Sequence, residues 1–221
     1  MTPRSAARRT PAGPRRAGPR RAGLRRAGVA AVALGTALAL AACSSGGGSG
    51  SEADVADQGY VSGDGSFTQW AVADRQGPVE VAGTDYAGDA VDVADWRGDV
   101  VVLNTWYAAC PPCREEAPDL VDIANEYADA GVHLLGINGV DDAGAAEPFQ
   151  QTFDVPYPSI DDRDKQAIAA LQGIVPIQAT PTTVVLDRDG KVAARIVGLA
   201  EGSTLRALID EVLAEDGGDP A

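Results

Sequence analysis

The sequence predicts an α/β domain with a central mixed β-sheet flanked by helices. Three observations carry this. Two continuous apolar runs, Val100–Trp106 and Val132–Asn138, read as strands buried on both faces. A helical stretch lies between them, and strands joined through a helix favour a partly parallel sheet. Near the end, the runs Thr182–Asp187 and Lys191–Val197 flank Arg188-Asp189-Gly190, a hairpin signal that adds antiparallel strands.

The elements follow in order. Residues 1–28 are rich in Arg, Ala, Pro and Gly, and residues 29–42 form an apolar run of 14. A spanning helix needs roughly 20 apolar residues, and basic, then apolar, then small residues is the order of a secretory signal. Residues 43–66 read as a Gly/Ser-rich flexible tether, 67–215 as the folded domain and 216–221 as a frayed tail. Short alternating runs around Val79–Val81 and Ala90–Val93, punctuated by Gly83 and Gly88, predict an N-terminal β-hairpin extension. Residues 111–130 read as a helix with Pro111 in its first turn, Glu115 and Glu116 suited to its positive end, and Pro118 kinking it. Ala145–Phe153 and Asp164–Leu171 are further helices. Ser203–Ala214 closes the domain, with Leu205, Leu208, Ile209 and Val212 on one face and Ser203 as N-cap.

Composition narrows the function. Hydrophobic residues make up 45% of the 221, enough for a packed core. Nine of the 18 basic residues fall in the first 42, where there is no acid. The remainder sets nine basic residues against 32 acidic ones, a formal charge of −23. Such a surface repels nucleic acid and anionic lipid headgroups. Three cysteines are too few for a disulfide-stapled scaffold. No metal or organic cofactor is expected. The single histidine, His133, has no second histidine to work with, and Asp161-Asp162-Asp164 reads as a helix-start cluster.

Cys110-Pro111-Pro112-Cys113 follows a buried strand and opens a helix. The unpaired N–H groups and partial positive charge of a helix N-terminus favour a thiolate. The spacing lets Cys113 reach Cys110 across one turn. An exposed Cys110 is expected to attack and Cys113 to resolve the mixed disulfide. Neither intervening proline offers an N–H to the Cys110 sulfur, which points to a reductant or isomerase rather than a strong oxidant. Trp106 packs beneath the motif, and Trp70 and Trp96 pack in the N-terminal extension.

The stretch 98–118, GDVVVLNTWYAACPPCREEAP, resembles the active-site region of the TlpA/ResA group of thioredoxin-like bacterial disulfide reductases. Pro118 matches that fold's kink proline, and Thr180-Pro181-Thr182-Thr183 matches the loop carrying its cis-proline. The resemblance implies a thioredoxin-like fold, a cis Pro181 with Thr180 beside the cysteines as substrate-binding loop, and Pro111, Pro112 and Trp106 as active-site support. Ala109 replaces the usual tryptophan before the first cysteine. Asn104 stands where thioredoxin has a buried aspartate, so the proton-handling group lies elsewhere. Relatives carry a glutamate in the loop after the second buried strand, and Asp141 lines up there as a possible proton acceptor.

The run Leu40-Ala41-Ala42-Cys43 resembles a bacterial lipobox, which implies lipidation of Cys43 and anchoring at the extracytoplasmic face of the membrane. Arg25-Arg26 precede the run without the rest of a twin-arginine signal, so the export route stays open. The implied partners are exported protein dithiols and disulfides, apocytochrome c among them, with electrons from a CcdA/DsbD-type membrane donor. Two alternatives stand beside this reading. A peroxiredoxin-class peroxidase would place a threonine where Tyr107 stands, and a non-catalytic tethered scaffold would hold an inert disulfide. A Sco-type copper chaperone needs a CxxxC pair and a distal histidine, which the sequence lacks.

Overall fold

A computed structural model describes residues 60–61, 66–176 and 179–215. The signal segment, Cys43 and the residues after 215 lie outside them. Nine strands are described: β1 Tyr60–Val61, β2 Phe67–Gln69, β3 Ala82–Thr84, β4 Ala90–Asp92, β5 Val100–Thr105, β6 Val132–Asn138, β7 Ser159–Asp161, β8 Thr182–Leu186 and β9 Val192–Val197. Four α-helices join them: α1 Pro111–Glu126, α2 Ala143–Phe153, α3 Gln166–Ala170 and α4 Gly202–Ala214.

Seven strands form one mixed sheet in the order β1-β2-β9-β8-β5-β6-β7, and β3-β4 stand apart as a hairpin. β5, β6 and β7 are parallel, with Asn104 opposite Gly136 and Gly136 opposite Ser159. β8 runs antiparallel to β5, placing Thr183 opposite Asn104. All six residues of β5 are buried, and they alternate between faces as a strand must. Val100 and Val102 join Leu120, Ile123, Leu205 and Ile209 of α1 and α4. Val101 and Leu103 face the other way, toward Leu171 and Ile174 and toward Val79, Val81 and Val93 of the N-terminal extension.

Three differences from the sequence reading have physical causes. β1 begins at Tyr60, inside the stretch read as tether, and it pairs with β2, which runs along β9. β7 follows Pro156 and Pro158 and has only three residues, too few to show a period. α4 starts at Gly202 with Glu201 at the cap position and no side-chain cap bond, so Ser203 lies inside the helix. A Cβ on residue 202 would lie 2.6 Å from Asp119 Cγ, so close helix packing rather than a hydroxyl cap sets this start. α1 runs through Pro118 to Glu126.

The acids around β7 serve the chain locally. The Asp162 carboxylate accepts from the N–H groups of Ala167 and Ile168 at 2.7 and 2.9 Å, and Asp161 pairs with Arg163. His133 stacks on Trp96, ring centroids 4.8 Å apart, and its Nε2 lies 2.9 Å from Asp99 Oδ2. No helix among the described residues is long and apolar enough to cross a membrane.

Candidate active site

β5 delivers the chain to the site. From Thr105 it runs through Trp106–Ala109 to Cys110, the cap residue of α1, with Pro111 and Pro112 in the first turn. Prolines are tolerated there because the first N–H groups of a helix have no helical partner. Cys110 and Cys113 are joined in a disulfide, their Cα atoms 5.3 Å apart. Cys113 N–H donates to Cys110 Sγ at 3.2 Å. The prolines therefore leave one backbone donor on the sulfur, supplied by the second cysteine itself.

Cys110 is 1% exposed and Cys113 2%. This corrects the expectation of an exposed Cys110: in the disulfide form both sulfurs belong to a packed cluster with Trp106, Ala117, Ala146 and Phe149. Trp106 stacks on Phe149 at 4.4 Å, and its Nε1 donates to Ser159 Oγ at 3.2 Å. Gly136 makes room for this bond. A Cβ there would lie 2.6 Å from Trp106 Nε1 and closer still to Ser159 Oγ.

The buried carboxyl of the site is Glu116, 1% exposed. It lies three residues beyond Cys113, on the inward stripe of α1 with Ala117, Leu120 and Ile123. Its Oε1 accepts from Asn104 Nδ2 at 2.8 Å and its Oε2 from Ala200 N–H at 2.9 Å. Burial raises its pKa to about 7, against the lowering by those two donors. Asn104 and Cys113 also line one small void of about 10 Å³ with Tyr157 and Ser159. The Tyr157 phenol is held well above its ordinary range by burial and by the charge of Glu116. The sequence reading assigned Glu116 to the helix dipole. The missed signal was its spacing: an acid at i+3 from Cys113, in register with the apolar stripe.

Asp141 does reach the active-site loop, through the Ala108 backbone. Its Oδ2 accepts from Ala108 N–H at 2.6 Å and from Asn138 Nδ2 at 2.9 Å. The Thr180–Pro181 peptide is cis, with Thr180 exposed and Pro181 buried. A cleft of about 470 Å³ opens at the carboxyl ends of the parallel strands β5 and β6, where open α/β sheets receive ligands. Trp106, Val140, Lys165 and Thr180 are among its walls.

A redox-closed cysteine pair at a helix N-terminus, a buried carboxyl on the next turn and a cis-proline loop on a mixed sheet define a thioredoxin-like thiol–disulfide oxidoreductase. Comparison with known proteins agrees. The chain belongs to the AhpC/TSA family, whose model matches residues 74–195. It is 30% identical over 129 residues to the thiol-disulfide oxidoreductase ResA of Geobacillus thermodenitrificans, covering 58% of this chain and 72% of that one. Other ResA relatives are spanned over 64% of their length. Among solved structures it is similar to a secreted thiol-disulfide isomerase from Corynebacterium glutamicum, with a TM-score of 0.64, 31% identity, and coverage of 70% and 96% of the two chains. A DsbF homologue from Corynebacterium diphtheriae gives a TM-score of 0.60 at 29% identity, covering 68% and 96%.

Proposed function

We propose that Cys110 and Cys113 are the exchanging pair of a reductase for disulfides of exported proteins. The observation that carries this is the Cys113 N–H on Cys110 Sγ at the start of α1, one turn before a buried carboxyl titrating near neutrality. In the reduced enzyme the Cys110 thiolate attacks one sulfur of the partner disulfide. That S–S bond breaks, and the partner's other sulfur leaves as a thiolate and takes a proton from water. Cys113 then gives its proton to Glu116 and attacks the Cys110 sulfur, releasing the second partner thiolate, which is protonated in turn. The partner gains two electrons and two protons, and the enzyme ends in its disulfide form. An outside dithiol must recharge it, and by the TlpA/ResA resemblance this is a CcdA/DsbD-type membrane protein.

The cleft beside Trp106 and Thr180 receives the partner's residues next to its disulfide, and the cis-proline loop offers backbone to an extended partner strand. The lipobox-like segment tethers the domain through a lipidated Cys43 at the extracytoplasmic face of the membrane, within reach of apocytochrome c thiols.

Substitution tests the mechanism. Cys113→Ser is expected to accumulate a mixed disulfide through Cys110, seen as a mass-shifted adduct that dithiothreitol removes. Cys110→Ser is expected to abolish turnover of a protein disulfide such as insulin. Persistent turnover in Cys110→Ser, or peroxide consumption by the parent enzyme at a comparable rate, would refute the reductase assignment. Cys43→Ser is expected to release the protein from the membrane fraction with its exchange rate unchanged.

A further inference from the structure

The buried disulfide poses a problem of access. A thiolate must reach a sulfur along the S–S axis, yet Cys110 and Cys113 are 1% and 2% exposed. The segment leading into Cys110 is held at one residue, Ala108, through the peptide groups on both sides of its Cα. Its N–H donates to Asp141 Oδ2 at 2.6 Å, and its carbonyl accepts from Arg114 Nη1 at 3.3 Å.

Each holder is itself held. Asp141 is fixed by Asn138, whose Oδ1 accepts from Asp141 N–H at 3.0 Å and whose Nδ2 donates to the carboxylate. Tyr86 then reaches across from the loop between β3 and β4, donating its O–H to the Asp141 carbonyl at 3.0 Å. The Tyr86 ring packs against the cluster that contains both cysteines. Burial, then the charges of Asp161 and Asp141, keep its phenol well above the ordinary range, so it remains a donor wherever the enzyme works. The Arg114 guanidinium lies over the rings of Phe149 and Phe153 at 5.7 and 5.1 Å. The residue after Ala108 is Ala109, so no large ring at that position packs the loop down.

We propose that Tyr86 and Arg114 are positioning residues for the exchange, which together with Asp141 clamp the backbone on both sides of Ala108 and set how often the loop opens to expose the Cys110–Cys113 disulfide. This rests on Cys110 and Cys113 being the exchanging pair. The hairpin extension is then part of the active site: its Tyr86 governs access to sulfurs carried on a different element. A partner that binds the Asp141 loop or the hairpin tip would release the clamp as it docks, tying exposure of the disulfide to engagement.

The test reads opening without any protein substrate. The oxidised full-length protein is mixed with increasing dithiothreitol at neutral pH, and freed thiols are trapped by alkylation and counted by mass. In the parent protein the rate is expected to level off at high reductant, where opening becomes limiting. Tyr86→Phe and Arg114→Met each remove one bond and are expected to raise that plateau about fivefold, the effect of one hydrogen bond. Arg114→Lys, which keeps a donor, is expected to stay near the parent rate. Unchanged rates in both Tyr86→Phe and Arg114→Met would overturn the proposal, even if melting temperatures fell. So would a rise of the same size in Arg114→Lys. Failure of the reductase assignment looks different: normal reduction by dithiothreitol without turnover of insulin.

Discussion

At the scale of single residues, Glu116 ties the chemistry to pH. Its carboxyl passes from an ordinary 4.5 in the unfolded chain to about 7 in the folded one. Between those values the folded state holds a proton that the unfolded state has lost. The contribution to stability is therefore full below 4.5 and declines as pH rises toward 7, by up to roughly 3 kcal/mol. Glu116→Gln is expected to remove that decline, measured by urea unfolding of the oxidised protein at pH 4.5 and 8. The same substitution should act on catalysis in the opposite direction. In the proposed exchange ionised Glu116 accepts the Cys113 proton, so the release step is expected to accelerate through pH 7 in the parent and to lose that inflection in the variant. An inflection near 7 that survives in Glu116→Gln would assign it to another group. Residue identity alone concealed this role. Glu115 and Glu116 look alike in a helix's first turns, and only the burial of one of them, between Asn104 and Ala200, separates a solvated charge from a proton store.

Among secondary-structure elements, the centre of the sheet was legible and its margins were not. β5 and β6 are mostly apolar because both faces are largely covered, and a run of that kind admits few other readings. The β8–β9 hairpin was legible from its turn: Gly190 has φ 75° and its N–H closes on Asp187 O at 2.7 Å. β1, β2 and β7 have two or three residues each, and their pairing comes from neighbours distant in sequence, such as Ile196 opposite Phe67. Local pattern cannot carry that information. Within β6, Gly136 breaks the apolar run for a reason visible only in the sheet, where Trp106 and Ser159 meet above it. Gly136→Ala is expected to cost about 2 kcal/mol of stability through overpacking, read from the urea midpoint. A stability equal to the parent's would show that the Trp106–Ser159 bond yields without cost.

For the whole molecule, the N-terminal extension and the central sheet share one core. Val79, Val81 and Val93 fill the second core beside Leu103 and Leu186, and Gly83 lies against Ile160 of β7. The sequence showed a hairpin ahead of the sheet but gave no sign that its tip meets the redox loop, since Tyr86 and Asp141 are 55 positions apart. Arg75 extends the same logic to the other end of the fold. Its guanidinium, 3% exposed, bonds Asp187 at 3.0 Å and Glu215 at 2.5 Å. A chain stopped at Ala214 would leave that buried cation with one carboxylate where it now has two. Losing a hydrogen bond between charged groups costs roughly 1.5–3 kcal/mol. Recombinant yield should therefore drop sharply between an expression boundary drawn after residue 215 and one drawn a single codon earlier, although neither cut touches a sulfur.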